Sequence, residues 1–564
     1  MAVAEFVRSR GRSASSSASR LGELERHLQD GRRRVFQFRL LSVLTGLLLS
    51  TINGAWADIV ADSSAPADKR PTVLQAANGT PQVDIQAPDH AGVSHNLYTR
   101  FDVDPEGVIL NNAREPTRTR LAGWVNGNPR LAGGTARIIL NEVNANDPSY
   151  LRGFVEVAGD RAQVIVANPA GITRSGCGFI NAYRSTLTTG QPRLENGTLN
   201  GFQVRGGEIV VEGLGLDSRD TDYTDLISRA VKVNAGIWAS RLNLVTGTTD
   251  VAVDGSLQRA YAEPGEKPEF AVDVKALGGM YAESILLVGT ENGVGVRNAG
   301  VIGTSAGDIA ITVDGKLVNR HHLESAADLK LVSAGLDNKQ GQISGSVVTI
   351  DTGTAPIENG GGSIIAQDSL RIDGGDLDNR SGLVEAGSNL SIDTAGYHLD
   401  NSDSGESGGI VSAGELQLNS QSVDNRQGRL LSESRLEVIA GENINNSRGR
   451  ISSIEDLTVQ EAALNSALAV RNTGGVLVAG GELSLVGDSL TGDGDINASA
   501  SIKINLRQGF TNSGNMQADQ LLELTTAGDL VNNGQIQARG EVSLQASNLA
   551  NLVPGAIYAT STSL

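Results

Sequence analysis

LDNRSGLVEAGSNLSI, residues 377–392, sets out the pattern on which the rest of the chain is built. Leu377-Asp378-Asn379 is followed by Gly382, by Leu383-Val384, by Ala386 and by Leu390-Ser391-Ile392. The same order recurs at Leu530-Val531-Asn532, Gly534, Ile536, Ala538 and Val542-Ser543-Leu544. Each unit offers two or three very short strands with aliphatic inward positions, separated by glycine and small polar turns. The marker apolar-x-Asn recurs at Asn298, Asn319, Asn338, Asn359, Asn379, Asn401, Asn425, Asn446, Asn472, Asn512, Asn532 and Asn551, and Leu490-Thr491-Gly492 fills the one missing step. The steps run from 19 to 26 residues and average about 21.

A leucine-rich horseshoe has a similar period, but it needs a helix or extended outer segment in each unit, and no amphipathic helical stretch of adequate length is present. A parallel β-helix satisfies the pattern. Its strands pair with their equivalents about 4.8 Å above and below, so twelve coils form a rod on the order of 60 Å long. Asparagines at one place in every coil can stack as an amide ladder along the axis, which is a structural reason for their recurrence.

Composition agrees with an all-β, exported chain. Glycine contributes 69 of 564 residues and aromatics only 4%. A single compact core does not grow to this length, whereas an elongated repeat escapes that limit. The single cysteine, Cys177, forms no intramolecular disulfide and reads as a small buried apolar residue. The six histidines supply no partner motif for a catalytic thiol. Residues 1–57 hold nine arginines and four acids, which leaves a net charge of −23 on the remainder. Such a surface repels nucleic acid and anionic lipid.

The leader reads as an extended secretory signal. Arg32, Arg33, Arg34 and Arg39 precede the apolar run Leu40 to Ile52, and Ala55-Trp56-Ala57 gives the small-x-small pattern for cleavage between Ala57 and Asp58. Residues 58–91 are expected to be loosely ordered or to form a few edge strands. The runs Phe154 to Ala158 and Ala162 to Ala167 alternate as half-buried strands do. Asn168-Pro169-Ala170-Gly171-Ile172 then breaks the second run: proline has no N–H for the ladder, and Gly171 accepts a positive φ. Taken alone this is a structural corner. Asp217, Asp220, Asp222 and Asp225 lack the spacing of a calcium loop and read as a solvated acidic loop.

Blocks in order from His95 to about Gly300 carry a family resemblance: Ser94 to Tyr98, Gly107 to Asn112, Asn128-Pro129-Arg130-Leu131, Asn141-Glu142-Val143, Asn168 to Ile172, Gly176 to Asn181, Leu187 to Gly190 and Ala276 to Ala282. Together they resemble the amino-terminal secretion domain of two-partner secretion exoproteins, the filamentous haemagglutinin and haemolysin group, which includes contact-dependent growth inhibition effectors. The resemblance implies a right-handed β-helix with extra-helical strands capping its N-terminal end, recognised in the periplasm by an outer-membrane β-barrel transporter with chain-binding domains. It marks Asn128, Pro129, Arg130 and Leu131, and Asn168, Pro169, Ala170, Gly171 and Ile172, as the secretion motifs. Arg130 and Ala170 stand where the family has asparagine, which is expected to weaken a turn hydrogen bond. Some members carry a cysteine where Arg174 stands here.

The implied organisation is a signal peptide (1–57), a loosely ordered mature start (58–91), a secretion domain (92–297) and haemagglutinin-type repeats (298–564). A chain that stops just after a repeat leaves strand edges uncapped and is expected to be a truncated product. The leading functional expectation is a non-enzymatic exoprotein, exported by the Sec route and then across the outer membrane of a Gram-negative bacterium to the cell surface or medium. Its filament serves as an adhesin stalk facing a host or neighbouring-cell receptor, with no nucleic-acid partner, metal or cofactor. The alternative is the N-terminal part of a growth-inhibition toxin. A polysaccharide lyase on the same scaffold would need clustered acids and aromatic platforms, and the repeats offer few aromatics and scattered acids.

Overall fold

The computed structural model describes residues 59–195, 197–262, 265–463 and 467–563. The proposed signal peptide and the Ala57/Asp58 cleavage point lie outside the described residues. Among those described there is no α-helix, only two 3-10 turns, Ala67–Lys69 and Pro129–Leu131, in an otherwise β chain.

The chain winds as a parallel β-solenoid, and the quoted unit shows why. Leu377–Asp378, Leu383–Ala386 and Leu390–Asp393 are three short strands on three faces of one coil, and each pairs in parallel with its equivalents one coil before and after. Alternation turns Leu377, Val384, Leu390 and Ile392 inward. Each is at most 2% exposed and stacks on an aliphatic side chain of the neighbouring coils. Burial of each such side chain is worth roughly 1.5–3 kcal/mol.

The recurrent asparagines form the amide ladder. From Asn298 to Asn472 each Nδ2 donates to the Oδ1 of the next asparagine at 2.7–2.9 Å. The ladder stops at Asn472 and resumes from Asn512 through Asn532 to Asn551. Gly492, at the missing rung, has φ +111°, and a Cβ there would lie 2.6 Å from the Asn472 carbonyl carbon. Two residues after the ladder asparagine the chain enters the left-handed region at Gln340, Ser381, Asp403, Gln427 and Arg448. That conformation costs about 1–2 kcal/mol per residue. Each of these N–H groups donates to a carbonyl of the following coil at 2.9–3.3 Å, so the stacking holds the turn.

At the N-terminal end antiparallel strands cover the first coil. Ile59–Ala61 pairs antiparallel with Val93–Phe101, while Thr72–Gln75 and Pro81–Asp84 form a hairpin laid against Val108–Asn112. The stretch expected to be loosely ordered or to form a few edge strands is, from Ile59 onward, this cap of strands. Edge backbone groups would otherwise be unpaired, which explains their recruitment.

Outside the coils lies a four-stranded antiparallel sheet, Gln191–Glu195, Thr198–Val204, Thr249–Ala252 and Leu257–Ala260. Its Leu199, Phe202, Val204 and Val251 pack on Leu140, Ile165, Ala167, Ile227 and Val245. Ala162–Ala167 is therefore buried along its whole length rather than half-buried. Val155–Gly159 is covered too: Ala158 packs beside Val125 of the hairpin Thr117–Thr119/Gly123–Val125, and Glu156 accepts the N–H groups of Arg120 and Leu121.

Candidate functional site

The two Asn-Pro corners have the same geometry. Asn128 is 2% exposed, and its Oδ1 accepts from the Arg130 N–H at 3.0 Å while its carbonyl accepts from the Leu131 N–H at 3.1 Å. Asn168 is fully buried, with Oδ1 accepting from the Ala170 N–H at 3.0 Å and its carbonyl from the Gly171 N–H at 3.1 Å. In both, the asparagine side chain closes a turn on the residue two places on, and the proline between them fixes φ. Gly171 has φ +124°, outside the range that a side chain readily adopts.

Both amides also tie coils together. Asn128 Nδ2 donates to the carbonyls of Ile85 and Asn111 at 2.9 and 3.0 Å, joining the capping segment to the first coil. Asn168 Nδ2 donates to the Asp147 carbonyl at 2.9 Å and to Ser149 Oγ at 3.0 Å.

The third position of each corner corrects an expectation. Arg130 and Ala170 were expected to weaken the turn by replacing asparagine, but the turn uses only their backbone N–H. Their side chains point outward, and the Arg130 guanidinium reaches Gln86 Oε1 at 3.2 Å and Thr72 Oγ1 at 2.8 Å. Among the nine motif residues, Asn128, Leu131, Asn168, Gly171 and Ile172 are buried, while Pro129 and Arg130 are exposed and Pro169 and Ala170 are half-buried. Each corner bonds to a different part of the chain, and none of these bonds brings the two together.

Other family blocks form buried polar joints. Tyr98 is fully buried with its hydroxyl on Asn141 Oδ1 at 3.0 Å, and burial pushes the phenol up. Asn112 clasps the Ala136 backbone through both amide atoms, and His95 Nε2 meets Glu142 Oε2 at 2.7 Å.

The four aspartates read as a solvated loop instead lie on one long strand, Leu216–Ser228, and each faces an arginine. Asp217 meets Arg219, Asp220 meets Arg120, Asp222 meets Arg161 and Asp225 meets Arg184. Asp225 is fully buried and accepts two guanidinium N–H bonds and the Thr186 hydroxyl, while Thr186 in turn takes a bond from Gln163. Arg120, Arg161 and Arg184 are distant from these aspartates in sequence, so spacing alone gave no signal. Among the described residues no cluster of His, Cys, Asp and Glu is arranged to hold a metal ion.

A stacked coil domain with an antiparallel cap, joined to an asparagine-laddered array, defines a parallel β-solenoid protein. Residues 57–319 match the TPS secretion domain, and the haemagglutinin repeat matches in five segments between 304 and 563. The chain belongs to the two-partner secretion exoproteins, a family exported through an outer-membrane transporter to the cell surface of Gram-negative bacteria.

It is 55% identical over 345 residues to Toxin CdiA of Yersinia pestis, covering 60% of this chain and 10% of that protein. It is 46% identical over 258 residues to tRNA nuclease CdiA-2 of Burkholderia pseudomallei, 45% of this chain and 8% of the relative. With 16S rRNA endonuclease CdiA of Enterobacter cloacae it shares 35% identity over 535 residues, 92% of this chain and 14% of the relative. The chain thus spans about a tenth of the length of these relatives. The crystal structure of a filamentous haemagglutinin secretion domain aligns at 27% identity and a TM-score of 0.40, covering 60% of this chain and 98% of that one.

Proposed function

We propose that this chain is the export and filament portion of a contact-dependent or adhesive exoprotein. Residues 1–57 direct it through the Sec route and are cleaved between Ala57 and Asp58. Residues 92–297, preceded by the capping strands, engage the periplasmic chain-binding domains of a dedicated outer-membrane transporter. The coils from 298 onward form the stalk of the filament. The observation that carries this reading is the secretion-domain match joined directly to a repeat in which each coil contacts only its neighbours. Coils that stack outside the cell release free energy one at a time, which favours one-way passage without nucleotide hydrolysis.

The test is export of an Asn168→Ala/Pro169→Ala chain beside its cognate transporter. We expect a large loss of extracellular protein, and secretion equal to the parent would remove the corner's role. A growth-inhibition effector is the reading favoured by the 55% identity to a protein named as a toxin. An adhesin stalk is the alternative. Growth of mixed cultures with a strain carrying the intact locus separates the two.

A further inference from the structure

The asparagine-bearing face of the array is cut at one level among the described residues. Ser489–Thr491 pairs in parallel with Ala469–Arg471 before it, but not with Phe510–Asn512 after it, which begins a separate three-stranded sheet with Leu530–Asn532 and Leu549–Asn551. The other two faces run on across this level, Leu483–Gly487 with Ser501–Leu506 and Asp495–Ala498 with Asn515–Ala518. The amide ladder is cut at the same place. Asn472 Nδ2 turns to the Asp495 carbonyl at 3.3 Å, and Asn512 Oδ1 accepts from the Gly514 N–H at 3.2 Å. Asn298, the first rung, accepts from the Gly300 N–H at that same distance, so Asn512 starts a second ladder rather than continuing the first. The cause is local: Gly492 stands at the rung with φ +111°, a conformation that favours glycine over asparagine.

An arginine spans the cut. Arg507, at the corner that leads into the cut face, donates to the two carboxylate oxygens of Glu461 at 2.9 and 2.8 Å and through Nε to Asp488 Oδ1 at 3.3 Å. Glu461 ends Leu457–Glu461, two coils earlier, and the strand between them ends on Gly487, which has no side chain to block the reach. The Glu461 side chain is 10% exposed and that of Arg507 36%, so salt screens this pair less than a surface pair. Gln508 Nε2 adds a bond to Asp488 Oδ2 at 2.5 Å.

In a solenoid each coil is held only by its neighbours, so a level that lacks one of its three strand pairings and its ladder bond is a weak junction. We propose that this level is a joint: the coils after the cut open together as one unit while those before it stay wound, and Arg507 is the clasp that keeps the joint shut. Under tension the filament gives way first at this level. That mechanical role rests on the stalk reading of the array, whereas the joint follows from the strand pairing alone.

Native-state amide hydrogen exchange of the intact chain in low urea tests this. Residues 510–545 are expected to exchange as one unit, with a common urea dependence, and protection is expected to rise in a single step on the N-terminal side of residue 491. A gradual slope of protection from residue 545 back to 470, the signature of an end that frays coil by coil, would overturn the joint, and that measurement needs no variant. Arg507→Gln is expected to speed exchange of residues 510–545 by about ten-fold or more and to leave residues 336–446 unchanged. Lys503→Gln is the control, because its pair with Glu482 is exposed on both sides. Equal effects of the two variants would overturn the clasp. None of these readouts depends on export, so failure of the joint leaves the export reading standing, and failure of export leaves the joint.

Discussion

Replacing Asn359 with alanine removes a rung from the middle of the amide ladder. Asn359 is fully buried, and its Nδ2 donates to Asn379 Oδ1 at 2.7 Å and to the Leu383 carbonyl at 3.1 Å, while its Oδ1 accepts from Asn338 at 2.7 Å. Each bond contributes about 1 kcal/mol net, and the Asn379 Oδ1 left buried without its donor costs about 1–3 kcal/mol more. The expected loss is therefore about 4–6 kcal/mol, concentrated in the coils on either side, because each coil touches only its neighbours. Unfolding of a repeat array need not be two-state. Amide hydrogen exchange across residues 336–401 is therefore the decisive assay, with urea denaturation beside it. The control is Asn548→Ala, whose exposed amide reaches Asp529 Oδ1 at 2.6 Å and is worth under about 1 kcal/mol. If the two variants exchange and denature alike, the amide ladder does not hold the coils and the repeated asparagine needs another explanation.

Gly492→Asn restores the repeat marker but drives a Cβ to 2.6 Å from the Asn472 backbone, so denaturation should show a loss of stability; a gain would mean that the turn relaxes freely. Gln427→Gly relieves a left-handed residue at φ 52° and should stabilise the array against urea by about 0.5–1 kcal/mol, the unfolded-chain entropy offsetting part of the relief; an unchanged or lower midpoint would argue against stored strain there. Asp225→Ala leaves the Arg184 guanidinium, with a side chain only 14% exposed, without its carboxylate and should cost about 3–5 kcal/mol in the secretion domain; a loss near that of a surface pair would show that water reaches the site. Asp337, Asp378 and Glu358 carry carboxyls held below their usual range: for Asp337 and Asp378 the Arg320 and Arg380 guanidinium groups outweigh the opposing effect of burial, and for Glu358 the cause is hydrogen bonding from Lys316 and Lys339. Folded values below unfolded ones give a contribution that is present above the unfolded values of 3.8 and 4.5 and lost as pH falls through the folded ones. Repeat-array stability should therefore drop below about pH 4, and a flat profile from pH 5 to 2 would exclude this linkage.

The repeat was legible because its signals are local. Alternation over Leu390-Ser391-Ile392, a glycine after Asn379 and a period near 21 residues each constrain the backbone within one unit, and stacking identical units follows from them. The Asn-Pro corners were legible for the same reason, since proline and the Asx bond act within three residues. The role of Arg130 and Ala170 was not legible, because a sequence does not show whether a turn uses a side chain or its backbone N–H.

The sequence by itself thus determined the coil, its period, the amide ladder with its gap at Gly492 and the position of both corners. The tertiary structure decided what lies outside and inside the coils: the four-stranded outer sheet that buries Ile165 from without, the pairing of Asp225 with Arg184, and the burial of Arg174 between Leu151 and Val211 and over the Phe179 ring. Those contacts join residues by solenoid winding or by packing across a turn, and their free energies depend on burial. Burial is a property of the assembled coils, and no spacing along the chain encodes it.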